Sequence, residues 1–195
     1  MRGLGSLSQH TSRSGNPQLD RALIAEVRTL DREFRINPGY RFLRDDDGPN
    51  AYATPDTYVE GTFATVLFGL TLLQNELQTA YGGAAIAGIA AHEGAHVLQF
   101  RSPEISRRLN GATNKSSELH ADFMAGYYFA RTDRTERSLV TFGESLFSKG
   151  DYNYNDKQHH GTPQQRVTAM RAGYNVGRYD LDEAVNRGVS HVTGA

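Results

Sequence analysis

Apolar residues recur at intervals of three and four from Leu19 to Phe34, and this period predicts an amphipathic helix over residues 17–36. Asn16 is suited to cap this helix, because its side chain can accept a hydrogen bond from the first turn. Pro17 suits the first helical position, where no backbone donor is needed. The first helix therefore has both a periodic apolar face and a defined start.

Stretches rich in β-branched and aromatic residues predict short strands next. We expect strands at 40–43 and 50–53, joined by a turn over 45–49, and a third strand running from Gly61 at least to Phe68. Helical spacing dominates afterwards, and the predicted helices cover residues 70–81, 84–100, 104–110, 116–131, 134–147, 163–172 and 180–188. A few early strands followed by helices predict an α+β fold, mainly helical, with a small antiparallel sheet.

The length and composition are those of one globular unit. The chain has 195 residues, of which 38% are apolar and 22% charged, as in ordinary folded proteins. Residues 1–16 are rich in Ser, Gly and Arg, so we expect them to form a flexible N-terminal arm. Residues 17–195 are expected to form a single domain.

Charge and residue types narrow the classes of partner and ligand. A net charge of −1 without a basic cluster argues against nucleic acid or an anionic membrane surface as partner. The longest apolar stretch, residues 84–91, is too short to span a bilayer, and the N-terminus shows no signal-peptide core. We expect a soluble chain; its compartment stays open, with the cytoplasm slightly favoured. There is no cysteine, so any metal ion must be held by His, Asp or Glu.

The motif His92-Glu93-x-x-His96 lies within the helix predicted over 84–100. Histidines four residues apart lie one turn apart on one helix face, so both imidazoles can reach one ion. Glu93 lies about 100° round the helix from His92, where its carboxylate can reach a water on the ion without acting as a ligand. This is the position of a general base. The alternative is a chance grouping of polar residues in a buried helix.

The helix predicted over 116–131 offers a third ligand. Glu118 and Asp122 share an otherwise apolar face, where a carboxylate is costly unless it is paired or bound to a metal. We expect Glu118 to complete the metal site and Asp122 to hold the second ring nitrogen of a ligand histidine. The alternatives are an acid that complements the helix dipole at 118 and a structural hydrogen bond at 122. His120 points away from this face and is expected to be a bystander.

These residues carry a resemblance to a known family. His92-Glu93-x-x-His96 followed by Glu118 resembles the gluzincin pattern, in which a glutamate on a second helix completes a zinc site. The stretches ELHAD (118–122) and HGTPQQR (160–166) resemble a family of bacterial neutral zinc metallopeptidases. The resemblance covers about residues 84–175 and implies a zincin-like domain that uses Zn²⁺, with its small sheet next to the active-site helix.

A further helix start is predicted within the HGTPQQR stretch that carries part of this resemblance. Thr162-Pro163-Gln164-Gln165 is a capping box with proline at the first helical position. The resemblance favours a catalytic place for His160 just before it, since an imidazole could donate a hydrogen bond to an oxyanion. The alternative is a histidine that only marks the entry to the helix. His159, Tyr152 and Tyr154 are left without a role.

The run over residues 62–68 is a candidate for the strand that borders the cleft. In peptidases of the kind that the chain resembles, such a strand pairs with an extended substrate. The sequence does not distinguish an edge strand from an interior one. The run is therefore also compatible with an interior strand that only packs.

The function expected from these residues is that of a zinc metallopeptidase acting on a peptide or protein substrate. His92, His96 and Glu118 would hold zinc, Glu93 would be the general base, and His160 would stabilise the oxyanion. Two other classes stay open. A catalytically inactive metal-binding or adaptor protein would use a fourth protein ligand such as His160 or Asp122. A zinc hydrolase of a non-peptide bond would use the same water chemistry in a narrower pocket.

Overall fold

The computed structural model describes residues 10–45, 48–79, 82–111, 113–135, 137–139, 142–143 and 161–194. These residues form a mainly helical α+β fold with a four-stranded sheet, which confirms the predicted fold class. The elements are β1 (His10–Thr11), α1 (Pro17–Phe34), β2 (Gly39–Leu43), β3 (Ala51–Thr54), β4 (Thr65–Gly69), α2 (Leu70–Leu77), α3 (Gly82–Arg101), α4 (Pro103–Leu109), α5 (Lys115–Arg131), α6 (Pro163–Asn175) and α7 (Leu181–Thr193).

The sheet is mixed rather than antiparallel throughout, which corrects the prediction. Its strand order is β1-β2-β4-β3, and β4 runs parallel to β2 while the other two pairs are antiparallel. All five residues of β4 are buried. A strand buried on both faces belongs in the interior of a sheet, so β4 lies between the two strands that the 45–49 turn connects. β3 is consequently an edge strand.

The described part of the N-terminal arm includes a short strand. β1 pairs with the end of β2, where His10 lies opposite Leu43 and Thr11 opposite Phe42. No strand is predicted here from the sequence, because two residues are too few to show a period. Residues 1–9 lie outside the described part of the chain.

Local signals located the helix starts well. The Asn16 side chain accepts hydrogen bonds from the backbone of Gln18 and Leu19 at the start of α1. At the start of α6, Thr162 and Gln165 form both bonds of the capping box, at 3.1 and 3.0 Å. Of the helix expected over 134–147, residues 134 and 135 are described and are not helical, whereas residues 137–139 and 142–143 are described and helical.

Helix α3 passes through the core and is buried along most of its length. It begins at Gly82, two residues before the predicted start at 84, and a side chain at this position would overlap the backbone of Glu76 at the end of α2. Its inner glycines admit neighbouring side chains: Gly88 lies against the Phe142 ring and Gly94 against Leu30 of α1. Among the described residues, no helix has both the length and the apolar character needed to cross a membrane.

Candidate metal centre

Three side chains from two helices converge on one place, the shared point of His92, His96 and Glu118. His92 and His96 lie one turn apart on α3, and their Nε2 atoms are 3.2 Å apart. Glu118, in the first turn of α5, has carboxylate oxygens 3.4 Å from Nε2 of His92 and 3.5 Å from Nε2 of His96. One ligand atom from each residue lies within 4.8 Å of the other two, so a single ion could contact all three. The structure thus brings together the three ligands predicted from the sequence.

The second ring nitrogen of His92 is held by a buried ion pair. Nδ1 of His92 lies 2.9 Å from Asp122, and Arg166 of α6 donates two hydrogen bonds to the same carboxylate at 2.7 and 2.9 Å. Burial raises the pKa of Asp122, but Arg166 and His92 outweigh it and hold the pKa below its usual value. Asp122 therefore stays ionised and holds Nδ1 of His92, so that Nε2 faces the shared point. Its role beside a bound metal ion stays a prediction.

The protonation of His92 sets a condition for metal uptake. Burial lowers the pKa of His92, but hydrogen bonds to Asp122 and Glu118 more than compensate and raise it to about 10. Without an ion, Nε2 of His92 therefore carries a proton that it shares with Glu118. A metal ion that bound here would have to displace that proton, and its binding would release the proton.

His96 has a different and uncharged partner. Its Nδ1 lies 2.9 Å from Oε1 of Gln99, which lies three residues later on the same helix. The Gln99 amide nitrogen contacts the Ser117 carbonyl at 2.9 Å and Nδ1 of His120 at 3.2 Å. His120 is fully buried, and burial lowers its pKa to about 4, so it is neutral near pH 7. His120, expected to be a bystander, contacts the partner of His96, and its role at the site stays a prediction.

Glu93 lies beside the shared point in a low-dielectric setting. Its side chain is buried, and burial raises its pKa, although His92 and His96 oppose the rise. A hydrogen bond from the backbone of Ala53 in β3 also stabilises the carboxylate. This carboxylate is accordingly a stronger base than an exposed glutamate.

The site opens into a cavity of about 580 Å³. Residues of β3 and the turn before it line one side, and the α4–α5 connection with the start of α5 lines the other. The strand at the cleft is therefore β3 and not the predicted run over 62–68, which forms the interior strand β4. Among the described residues, no further strand lies beyond β3.

The later histidine pair cannot be compared with its prediction. His160, His159, Tyr152 and Tyr154 lie outside the described residues, and the catalytic role of His160 stays a prediction. Gly161 and Thr162, which follow directly, lie at the start of α6.

Sequence reasoning missed two residues of the site, Gln99, which contacts His96, and Arg166, which contacts Asp122. Gln99 carries a usable signal, because it follows His96 by three positions and so shares its helix face. Arg166 stands inside the HGTPQQR stretch, yet its carboxylate partner is 44 residues away and only the fold reveals it. Spacing finds contacts within one helix more readily than contacts between helices.

Comparisons with protein-family models, with curated proteins and with solved structures found no match to this chain.

Proposed function

We propose that this chain is a zinc-dependent metallopeptidase. The observation that carries the proposal is the convergence of His92, His96 and Glu118 on one point, next to the buried carboxylate of Glu93. Two imidazoles and a carboxylate form a donor set that catalytic zinc uses, with one position left for water.

The donor set favours zinc over harder ions. Imidazole suits zinc, whereas calcium and magnesium prefer all-oxygen sites. A zinc ion bound there would lower the pKa of a water molecule and polarise a scissile carbonyl. Asp122 and Gln99 already orient both rings, so the chain does not need to reorganise them when the ion binds.

Glu93 is the general base of the proposed reaction. Its carboxylate would take a proton from the attacking water and deliver it to the departing amine. Burial supports this role, because a carboxylate with a raised pKa holds the proton more readily between the two steps. The hydrogen bond from Ala53 keeps the carboxylate next to the edge strand.

The edge strand β3 would bind the substrate backbone. Backbone groups of alternate strand residues point to the same side, so Ala51 shares with Ala53 the edge that faces away from β4. An extended peptide could add to this edge as a further strand, and the cleft side chains would select its residues. A peptide therefore fits this cleft better than a compact substrate.

The two other classes have less support. In an inactive metal-binding protein Asp122 could supply a fourth ligand, but its carboxylate is engaged by His92 and Arg166. A hydrolase of non-peptide bonds would have no need of an edge strand along its cleft.

The test compares wild type with Glu93→Gln for zinc content and for cleavage of a broad peptide library. We expect equal zinc and a cleavage rate lower by about 10²–10⁴-fold, since only the base is lost. Glu104→Gln is the matched control, because it removes an exposed glutamate of α4 and should leave both properties unchanged. Equal cleavage by Glu93→Gln would remove Glu93 from the mechanism. A wild-type protein that takes up no divalent ion would end the proposal.

A further inference from the structure

A chain of hydrogen bonds leads from His96, away from the shared point, to the last helix. Gln99 links Nδ1 of His96 to Nδ1 of His120, at 2.9 and 3.2 Å. Nε2 of His120 in turn lies 3.4 Å from the backbone carbonyl of Val185 in α7. Gln99 and His120 are both buried, so bulk water does not compete for these bonds.

The direction of each bond follows from groups that can only accept. The Val185 carbonyl is an acceptor, so Nε2 of His120 carries hydrogen and its Nδ1 has a lone pair. The Ser117 carbonyl, 2.9 Å from the Gln99 amide nitrogen, is also an acceptor. Two acceptors thus orient the Gln99 amide, whose NH₂ group faces His120 and Ser117. Its oxygen faces His96.

This orientation decides the tautomer of His96. An amide oxygen cannot donate, so the hydrogen of the ring must lie on Nδ1. Nε2 is then left with a lone pair directed towards His92 and Glu118, which is the form that binds a metal ion.

We propose that Gln99 and His120 are positioning residues, which select the metal-binding tautomer of His96 and tie it to the backbone of α7. The inference rests on the proposed metal centre and is independent of what the protein cleaves. The two ligand histidines are thus oriented differently: Asp122 holds His92 with a charge, whereas Gln99 holds His96 without one. A neutral partner adds no further negative charge to a site that already contains Glu93 and Glu118.

Helix α7 reaches His120 because it packs closely against α5. A Cβ at Gly188 would lie 3.0 Å from Cδ2 of His120 and 2.9 Å from the Phe123 ring. Only a residue without a side chain allows this approach at no cost. The approach brings the Val185 carbonyl within reach of His120.

The experiment uses the full chain and zinc as the probe. His120→Phe keeps a ring in the core but cannot accept from Gln99 or donate to Val185. We expect it to bind zinc about 10–100-fold more weakly in competition with a chromophoric chelator, as is usual when a partner of a ligand histidine is lost. His120→Gln retains one acceptor and one donor, so it should bind zinc nearly as tightly as wild type.

Two measurements separate positioning from a loss of stability. Val185→Ala deletes a buried side chain but keeps the carbonyl, so it should lower the melting temperature and leave zinc affinity unchanged. Long-range ¹H–¹⁵N spectra of the metal-free protein should show His96 with its hydrogen on Nδ1 in wild type, and a mixture of tautomers in His120→Phe.

The inference is overturned if His120→Phe binds zinc as wild type does, or if Val185→Ala loses as much zinc affinity at equal destabilisation. It is also overturned if wild-type His96 carries its hydrogen on Nε2. A wild type that binds no zinc but has the expected His96 tautomer would instead contradict the proposed function and leave the hydrogen-bond chain supported.

Discussion

Asp122 and Glu118 are both acids of helix α5, but they are expected to contribute to different properties, Asp122 to stability and Glu118 to metal binding. Asp122 is fully buried between His92 and Arg166, so its charge is balanced by fixed partners. Glu118 is partly exposed and lies at the shared point with His92 and His96. Removing one partner of a buried ion pair leaves the other charge uncompensated, which costs far more than removing a residue at the cavity wall.

This difference predicts different main effects for two substitutions. Glu118→Ala should abolish stoichiometric zinc uptake, because only two protein ligands remain. Asp122→Asn should lower the free energy of unfolding of the metal-free protein by about 3–5 kcal/mol, because Arg166 loses its buried anion. Zinc content by elemental analysis and urea denaturation measure the two effects. Full zinc occupancy in Glu118→Ala would show that the third ligand is another residue.

At the scale of elements, one carboxylate fixes the edge strand that borders the cleft. Asp45 accepts hydrogen bonds from the backbone of Asn50 at 3.0 Å, Thr71 at 2.7 Å and Leu72 at 3.1 Å. It therefore joins the start of β3 to the first turn of α2, whose own N-cap residue, Gly69, has no side chain to supply a cap. β3 is thus held both by its pairing with β4 and by this contact.

Helices α5 and α6, which carry Asp122 and Arg166, approach closely at two glycines. A Cβ on Gly173 would overlap the Phe123 carbonyl, and one on Gly126 would overlap the Met170 carbonyl. Backbone atoms cannot move aside as a flexible side chain can, so a methyl group here has to separate the helices.

Gly173→Ala is therefore expected to lower the free energy of unfolding by about 1–3 kcal/mol, the usual cost of overpacking. Gly83→Ala is the matched control, because this helical glycine of α3 has no atom within 4 Å of an added Cβ. It should leave stability unchanged or raise it by up to about 1 kcal/mol, since alanine favours a helix. Urea denaturation of both variants measures the effect. A Gly173→Ala protein as stable as Gly83→Ala would contradict the close contact.

At this scale, the features that the sequence predicts well are those whose contacting residues are neighbours along the chain. Asn16 and the Thr162 capping box located helix starts, because a cap and its donors lie within three residues. The sequence predicts only a turn for Asp45 and leaves the run over 62–68 as a possible border of the cleft, because their partners come from distant segments. The candidate ligand set was partly predictable. The helix period places His92 near His96 and Glu118 near Asp122, and the chemistry of metal ligands suggests that the two pairs meet.

At the scale of the whole molecule, buried histidines make stability depend on pH. In the metal-free protein the pKa of His92 is raised to about 10, so its contribution is present below its unfolded pKa and is lost as pH rises towards 10. His120 acts in the opposite direction, because burial lowers its pKa to about 4. The two histidines therefore contribute opposite pH dependences, His92 above and His120 below the ordinary histidine pKa of about 6.5.

The contribution of His120 below pH 6.5 has to be isolated by substitution, because Asp31, whose pKa burial raises to about 6, acts in the opposite direction. Between pH 6.5 and 4 the unfolded chain protonates residue 120 while the folded protein keeps it neutral, so the contribution of His120 to the free energy of unfolding falls as pH falls. A pKa difference of this size corresponds to about 3 kcal/mol across the window. His120→Gln keeps a donor and an acceptor but has no proton to gain, so this contribution should be missing from its pH dependence when it is compared with wild type. Urea denaturation with a chelator present, at several pH values for both proteins, measures the difference. An equal slope in both proteins would mean that another group takes up the proton, and that His120 is already charged in the fold.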